Sequence, residues 1–92
     1  MNLNILSKQV IHLVKKTGHF IAAEAKKLTT SDIEVKGFND FVTHVDKEAE
    51  QRLISELKKM TPAAGFIVEE DHSQKTSTEY NWIIDPIDGT TN

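Results

Sequence analysis

The last eight residues of the chain, Asp85-Pro86-Ile87-Asp88-Gly89-Thr90-Thr91-Asn92, set two carboxylates and a hydroxyl-bearing turn directly behind the apolar run Trp82-Ile83-Ile84. An Asp at each end of a Pro-Ile spacer can turn two carboxylates into one pocket, with the carbonyl of Ile87 between them as a third oxygen donor. Such a set suits a hard cation. Gly89-Thr90-Thr91 follows as a helix start whose free backbone N–H groups can seat a phosphate. Cation and phosphate in one turn point to phosphoryl chemistry.

A second acidic group completes the constellation. Gly65-Phe66-Ile67-Val68 reads as a short buried strand that ends in Glu69-Glu70-Asp71, just as the strand Tyr80 to Ile84 ends in Asp85. If the two strands lie side by side and parallel, both acidic ends leave the same sheet edge, the edge at which open α/β sheets bind ligands. Like charges about 4 Å apart repel by roughly 4 kcal/mol at an effective dielectric of 20, so carboxylates sharing a pocket require a counter-ion. Oxygen-only donors select Mg²⁺, Mn²⁺ or Ca²⁺ over zinc or copper. The bland readings are turn chemistry for Asp85 and Asp88, a solvated strand end for Glu69 and a helix cap for Thr90. Two Asp-containing turn pairs behind an apolar strand favour ligation. Glu70 and Asp71 read as solvated.

Rival motifs fail on spacing. An EF-hand loop needs donors at positions one, three and five, Gly at six and Glu at twelve, whereas here the second Asp falls at position four. No Gly-rich loop with Lys forms a nucleotide cradle, and no nucleophile elbow supports a Ser-His-Asp hydrolase. Metal-assisted attack by water survives.

Positioning these groups falls to two helical stretches upstream. Leu3, Leu6, Val10, Leu13, Val14, Phe20, Ile21, Ala25 and Leu28 recur at helical spacing, with Lys8, Lys15, Lys16, Lys26 and Lys27 between them, predicting one amphipathic helix over residues 3–28. Gly18 weakens it locally, and Thr29-Thr30-Ser31-Asp32 ends it. Ile33 to Lys36 and Phe41-Val42 read as short β-like pieces around a turn at Gly37-Phe38-Asn39-Asp40. Thr43 with Asp46 imitates a capping box, and Val45, Ala49, Leu53, Leu57 and Met60 share one face, predicting a second helix over about 44–60 that Pro62 stops. His72 to Tyr80 is a loop. His12, His19, His44 and His72 lack metal-like spacing, Lys36 beside the turn is a solvated charge, and Trp82 is a core residue.

The 92 residues make one small domain at most. Residues 1–30 carry a balance of +4 and residues 31–92 a balance of −7, so the acidic part holds the candidate site and argues against nucleic acid as a simple electrostatic partner. Without cysteine there is no disulfide framework, zinc finger or thiol nucleophile. No signal-peptide pattern or membrane span is visible, which makes a cytoplasmic location the expectation.

Trp82-Ile-Ile-Asp-Pro-Ile-Asp-Gly-Thr-Thr-Asn92, preceded by Phe66-Ile-Val-Glu-Glu70 and Thr43-His-Val-Asp46, resembles the amino-terminal part of the inositol monophosphatase family. The Thr-Thr-Asn ending distinguishes this branch from phosphatases that share only Asp-Pro-x-Asp-Gly. The resemblance implies the amino-terminal portion, residues 1–92, of a single layered α/β sugar-phosphatase domain with two long helices and short strands, its carboxyl-terminal half absent. It also implies that Glu69, Asp85 and Asp88 bind Mg²⁺ through side chains and Ile87 through its carbonyl. By the same resemblance, Glu69 and Thr90 orient the attacking water, and Asp88, Gly89 and Thr90 meet the substrate, with the N–H groups of Gly89 and Thr90 holding phosphate. Asp46 corresponds to a position near the metal pocket, a role that stands beside its helix-cap reading. The implied activity is Mg²⁺-dependent hydrolysis of a small phosphomonoester such as myo-inositol monophosphate by a homodimeric enzyme. A further metal-binding Asp and most contacts to the alcohol belong to the half not present, so the expectation is an inactive fragment. The alternative is a non-catalytic truncated module that binds metal or phosphate.

Overall fold

The computed structural model describes residues 2–27, 35–68 and 74–87, which form two helices and two strands in the order α1 (Leu3–Lys26), α2 (Val35–Met60), β1 (Gly65–Val68) and β2 (Asn81–Ile84). The α/β class expected from the sequence is the one observed. The readings made for Glu69, Glu70, Asp71, His72, Asp88, Gly89, Thr90 and the Thr29 to Asp32 cluster lie outside the described residues.

α1 starts where its first turn is capped. Asn2 takes an extended conformation, and its side-chain oxygen accepts from the N–H groups of Asn4 at 3.1 Å and Ile5 at 3.2 Å, satisfying donors that no earlier turn can serve. The helix runs unbroken through Gly18. Leu13 and Thr17 are its buried residues, and the Thr17 hydroxyl donates to the Leu13 carbonyl at 2.9 Å, so a polar side chain sits on the inner face without an unmet donor. Val14, expected on that face, is 55% exposed.

α2 departs from the sequence reading at its start. It begins at Val35 and passes through the Gly37 to Asp40 segment and through Thr43, so the turn, the β-like piece at Phe41-Val42 and the cap at 43–46 are replaced by continuous helix, while Ile33 and Glu34 of the other β-like piece lie outside the described residues. The physical reason is the stripe downstream: Phe41, Val42, Val45, Ala49, Leu53, Ile54 and Leu57 keep one face turned inward over four turns, and that packing outweighs the local turn preference of Gly, Asn and Asp. Lys58 and Lys59 lie in the last turn, where cations meet the negative end of the helix dipole. Thr61 ends it: its N–H and its hydroxyl both donate to the Leu57 carbonyl at 2.8 Å, and Pro62 follows.

β1 and β2 pair in parallel, with Gly65 opposite Asn81 and Val68 opposite Ile84. Their inner face supplies Phe66 and Ile84 to a core shared with Leu13, Leu53, Ile54 and Leu57, with Trp82 and Val68 packed at its margin. Each fully buried side chain of this kind contributes roughly 1.5–3 kcal/mol. Trp82 is therefore a core-margin residue whose indole N–H donates to the Thr61 hydroxyl at 2.8 Å, tying β2 to the end of α2.

Candidate active site at the carboxyl edge of the sheet

The site is built on the register of the two strands. Because β1 and β2 run parallel with Val68 opposite Ile84, both head toward one edge, and the residues that follow these partners in the sequence are Glu69 and Asp85. This is the arrangement anticipated from the two acid-ended apolar runs. Asp85 directly follows β2, is exposed, and contributes to the lining of an apolar cleft of about 370 Å³ between α1 and β2, whose walls include Val10, Val14, Ile21 and Leu57. Asp85 is the one ionisable side chain on that lining among the described residues. Pro86 and Ile87 make a bend after the strand, both half-buried. Proline fixes its own backbone angle and has no N–H, so the chain cannot continue along the ladder as a strand here.

Of the six residues assigned to metal, water or substrate, Asp85 and Ile87 are within the described structure; Glu69, Asp88, Gly89 and Thr90 are not. Among the described residues, no three His, Asp or Glu side chains converge on one point. The donors that are described, the Asp85 carboxylate and the Ile87 carbonyl two positions further along the chain, are oxygen donors of the type a hard divalent cation takes.

Asp46 does not start a helix. It lies about three turns into α2, 2% exposed, and Glu50 one turn further on is fully buried. The two flank Val45 and Ala49 on the inward face, and both are engaged by neighbouring groups. The cap reading of Asp46 is thereby replaced by that of a buried acid. Glu50 was not singled out from the sequence, although its spacing held the signal: residues 45, 46, 49, 50, 53, 54 and 57 form one stripe, and two carboxylates fall inside it. Buried carboxylates are costly unless paired, hydrogen-bonded or neutralised by a cation.

The other charged residues are outside this arrangement. His44, Glu48 and Arg52 form an exposed ladder along α2, with His44 Nε2 3.5 Å and Arg52 3.2 Å from the Glu48 carboxylate. Arg52 also stacks over the Phe20 ring at 3.8 Å, joining α1 to α2. These contacts have the exposure and i,i+4 spacing of helix-surface pairs. His12 and His19 are exposed positions of α1, as expected of helix-face residues, and Lys36 falls within α2 instead of beside a turn.

Comparison with known proteins adds an independent line. The model of the inositol monophosphatase family matches residues 3–92. The protein named Nus factor SuhB from Vibrio cholerae is 42% identical over 83 residues, covering 89% of this chain and 31% of its own length. Its Escherichia coli K12 counterpart is 39% identical with the same coverage. The inositol-1-monophosphatase of Mesorhizobium japonicum is 30% identical over 93 residues, covering 100% of this chain and 35% of that protein. The chain thus spans about a third of the length of these relatives. No solved structure matches it.

Proposed function

The chain belongs to the inositol monophosphatase family, and from that membership we propose that it carries the amino-terminal share of a phosphomonoesterase site, acting on a small polyol phosphate such as myo-inositol monophosphate. What supports the reading is the parallel register of β1 and β2, which sends two acid-ended strands toward one sheet edge. Mg²⁺, when bound, supplies acidification of water and neutralisation of the charge on the transferring phosphoryl group. In this proposal Glu69, Asp85 and Asp88 hold the cation through carboxylates and Ile87 through its carbonyl. Glu69 and Thr90 orient the attacking water. The N–H groups of Gly89 and Thr90 fix the phosphate oxygens as negative charge develops on them, and Asp88 meets the substrate beside them.

The proposal extends to a cytoplasmic, homodimeric whole enzyme, with this chain alone inactive. No described helix is long and apolar enough to cross a membrane. The absence of a nucleic-acid partner rests on charge balance alone. A second reading is favoured by the names of the relatives: several are called Nus factor SuhB, so a role as a factor without turnover, retaining a cation or phosphate site, stands as the alternative.

The test joins this chain to the part of the Mesorhizobium japonicum relative that lies outside the matched stretch, and measures phosphate release from inositol monophosphate with and without Mg²⁺. The chimera is expected to turn over only with the metal, and Asp85→Asn to slow it on the order of 100-fold, about 2.7 kcal/mol of barrier. Undiminished turnover in the Asp85→Asn chimera sinks the site assignment. Metal binding without turnover favours the factor reading.

A further inference from the structure

α2 presents a different row of side chains to each of its neighbours. Arg52 lies over the Phe20 ring of α1, and Lys58 lies 5.9 Å from the Phe66 ring of β1. A third row consists of Glu50, Leu57 and Thr61, spaced seven and four residues apart and therefore on one face. Thr61 extends the last helical turn by donating to the Leu57 carbonyl, and its hydroxyl accepts the Trp82 indole N–H. Leu57 lines the cleft together with Ile84 and Asp85. β2 therefore runs along this row, forward as the helix runs back. Glu50 stands eleven residues before Thr61, about 16 Å at roughly 1.5 Å per helical residue. Ile87 stands five residues after Trp82, at most about 16 Å at roughly 3.3 Å per extended residue. The row thus carries Glu50 to the height at which the Asp85-Pro86-Ile87 bend leaves the sheet.

Glu50 is 0% exposed, Asp46 one turn before it is 2% exposed, and both are held by neighbouring groups. Two carboxylates brought together in the interior repel each other, and a cation close by offsets both. Among the described residues no three acidic side chains converge on one point, which gives Glu50 an outer place and not a ligand's. We infer that Glu50 is a positioning residue of the cation site at the sheet edge: its buried carboxylate stands behind the Asp85-Pro86-Ile87 bend and strengthens cation binding there through its charge. Groups outside the ligand set commonly set metal affinity in this way. The inference rests on the cation-site reading of Asp85 and Ile87.

Titration of the 92-residue chain with Tb³⁺, a hard cation that takes oxygen donors, tests it. Trp82 is the single tryptophan and stands three residues before Asp85, about 10 Å along an extended chain, so it serves as the sensitiser of Tb³⁺ luminescence. Glu50→Gln keeps the shape and removes the charge, and is expected to raise the dissociation constant on the order of 10-fold. Glu50→Asp keeps the charge on a shorter stem, and is expected to stay within about 3-fold of the unsubstituted chain, whereas a purely structural role would make the two variants alike. Asp85→Asn is expected to weaken binding by at least about 10-fold. If Asp85→Asn weakens binding and Glu50→Gln changes it less than about 2-fold, the inference is overturned and the site reading stands. If Asp85→Asn has no effect, the site reading itself fails. Equal losses for Glu50→Gln and Glu50→Asp overturn the inference, as does a Glu50→Gln chain that has lost its helical circular dichroism, since Glu50 then serves the fold alone. An unsubstituted chain without sensitised emission overturns it too, while phosphate release by the chimera still judges the site.

Discussion

The two faces of the β1–β2 sheet are built from the same residue types and meet opposite surroundings. Phe66 and Ile84 on the inner face are 4% and 7% exposed against α1 and α2, whereas their neighbours Ile67 and Ile83 are 47% and 78% exposed on the outer face. Register makes the contrast sharp, because Phe66 opposes Trp82 on one face and Ile67 opposes Ile83 on the other. A strand apolar on both faces belongs in the middle of a layered protein, with cover on each side. Here, among the described residues, the helices cover one face and leave Ile67 and Ile83 on the other exposed.

The largest expected effect comes from breaking the covered face. Phe66→Ala removes a buried ring that meets the helical core and lies 5.9 Å from the Lys58 ammonium, and is expected to cost about 3–5 kcal/mol in urea unfolding. If the loss is no larger than that of an outer-face substitution, the two faces do not differ energetically and the layered account is wrong. Next comes the loop that closes β1. Gly65→Ala is expected to cost about 1–3 kcal/mol, since the new Cβ meets backbone of Thr76 and Ser77 as well as the Asn81 side-chain oxygen that holds that backbone in place. Amide exchange at Phe66 should rise with it, reporting loss of the Lys75 bond. Thr61→Val keeps the shape at the end of α2 but leaves the half-buried Trp82 N–H without its acceptor. About 1–2 kcal/mol is expected, with a shift in Trp fluorescence as β2 loosens from the helix.

How much of this could be read beforehand follows from the range of the interactions involved. α1 and both strands were legible because their signals are local: a nine-position helical stripe and two short apolar runs bounded by turn residues. The parallel pairing was legible as a condition, since two apolar runs each ending in acid make sense as a site when they share an edge, and the Val68–Ile84 register meets it. The start of α2 was not legible. Gly37, Asn39 and Asp40 are turn formers by local preference, and the packing that carries the helix through them comes from a stripe extending to Leu57. Burial of Asp46 and Glu50 was missed for a related reason. A search for apolar residues passes over carboxylates that occupy the same inward face, and only the 45-46-49-50 spacing exposes them. For the site, the sequence alone pointed to Asp85 and Ile87 at the sheet edge, and chain order ties Glu69 and Asp88 to the same strands.

The smallest effect expected is the most discriminating for the comparison of faces. Ile83→Thr retains a β-branched residue, so strand preference is nearly conserved and what changes is the apolar area offered to the outside. That area is already in water in the chain, where the side chain is 78% exposed, so no burial is lost and the change in stability should stay within about 0.5 kcal/mol. Ile67→Thr, at 47% exposure, should cost slightly more, and the double substitution should reveal a coupling of about 0.2–1 kcal/mol from their cross-strand contact. Urea unfolding of the four proteins measures all three quantities. A loss for Ile83→Thr approaching that of Phe66→Ala would mean that the outer face is already covered in solution. The inner and outer faces would then be equivalent, and the asymmetry between them would not exist.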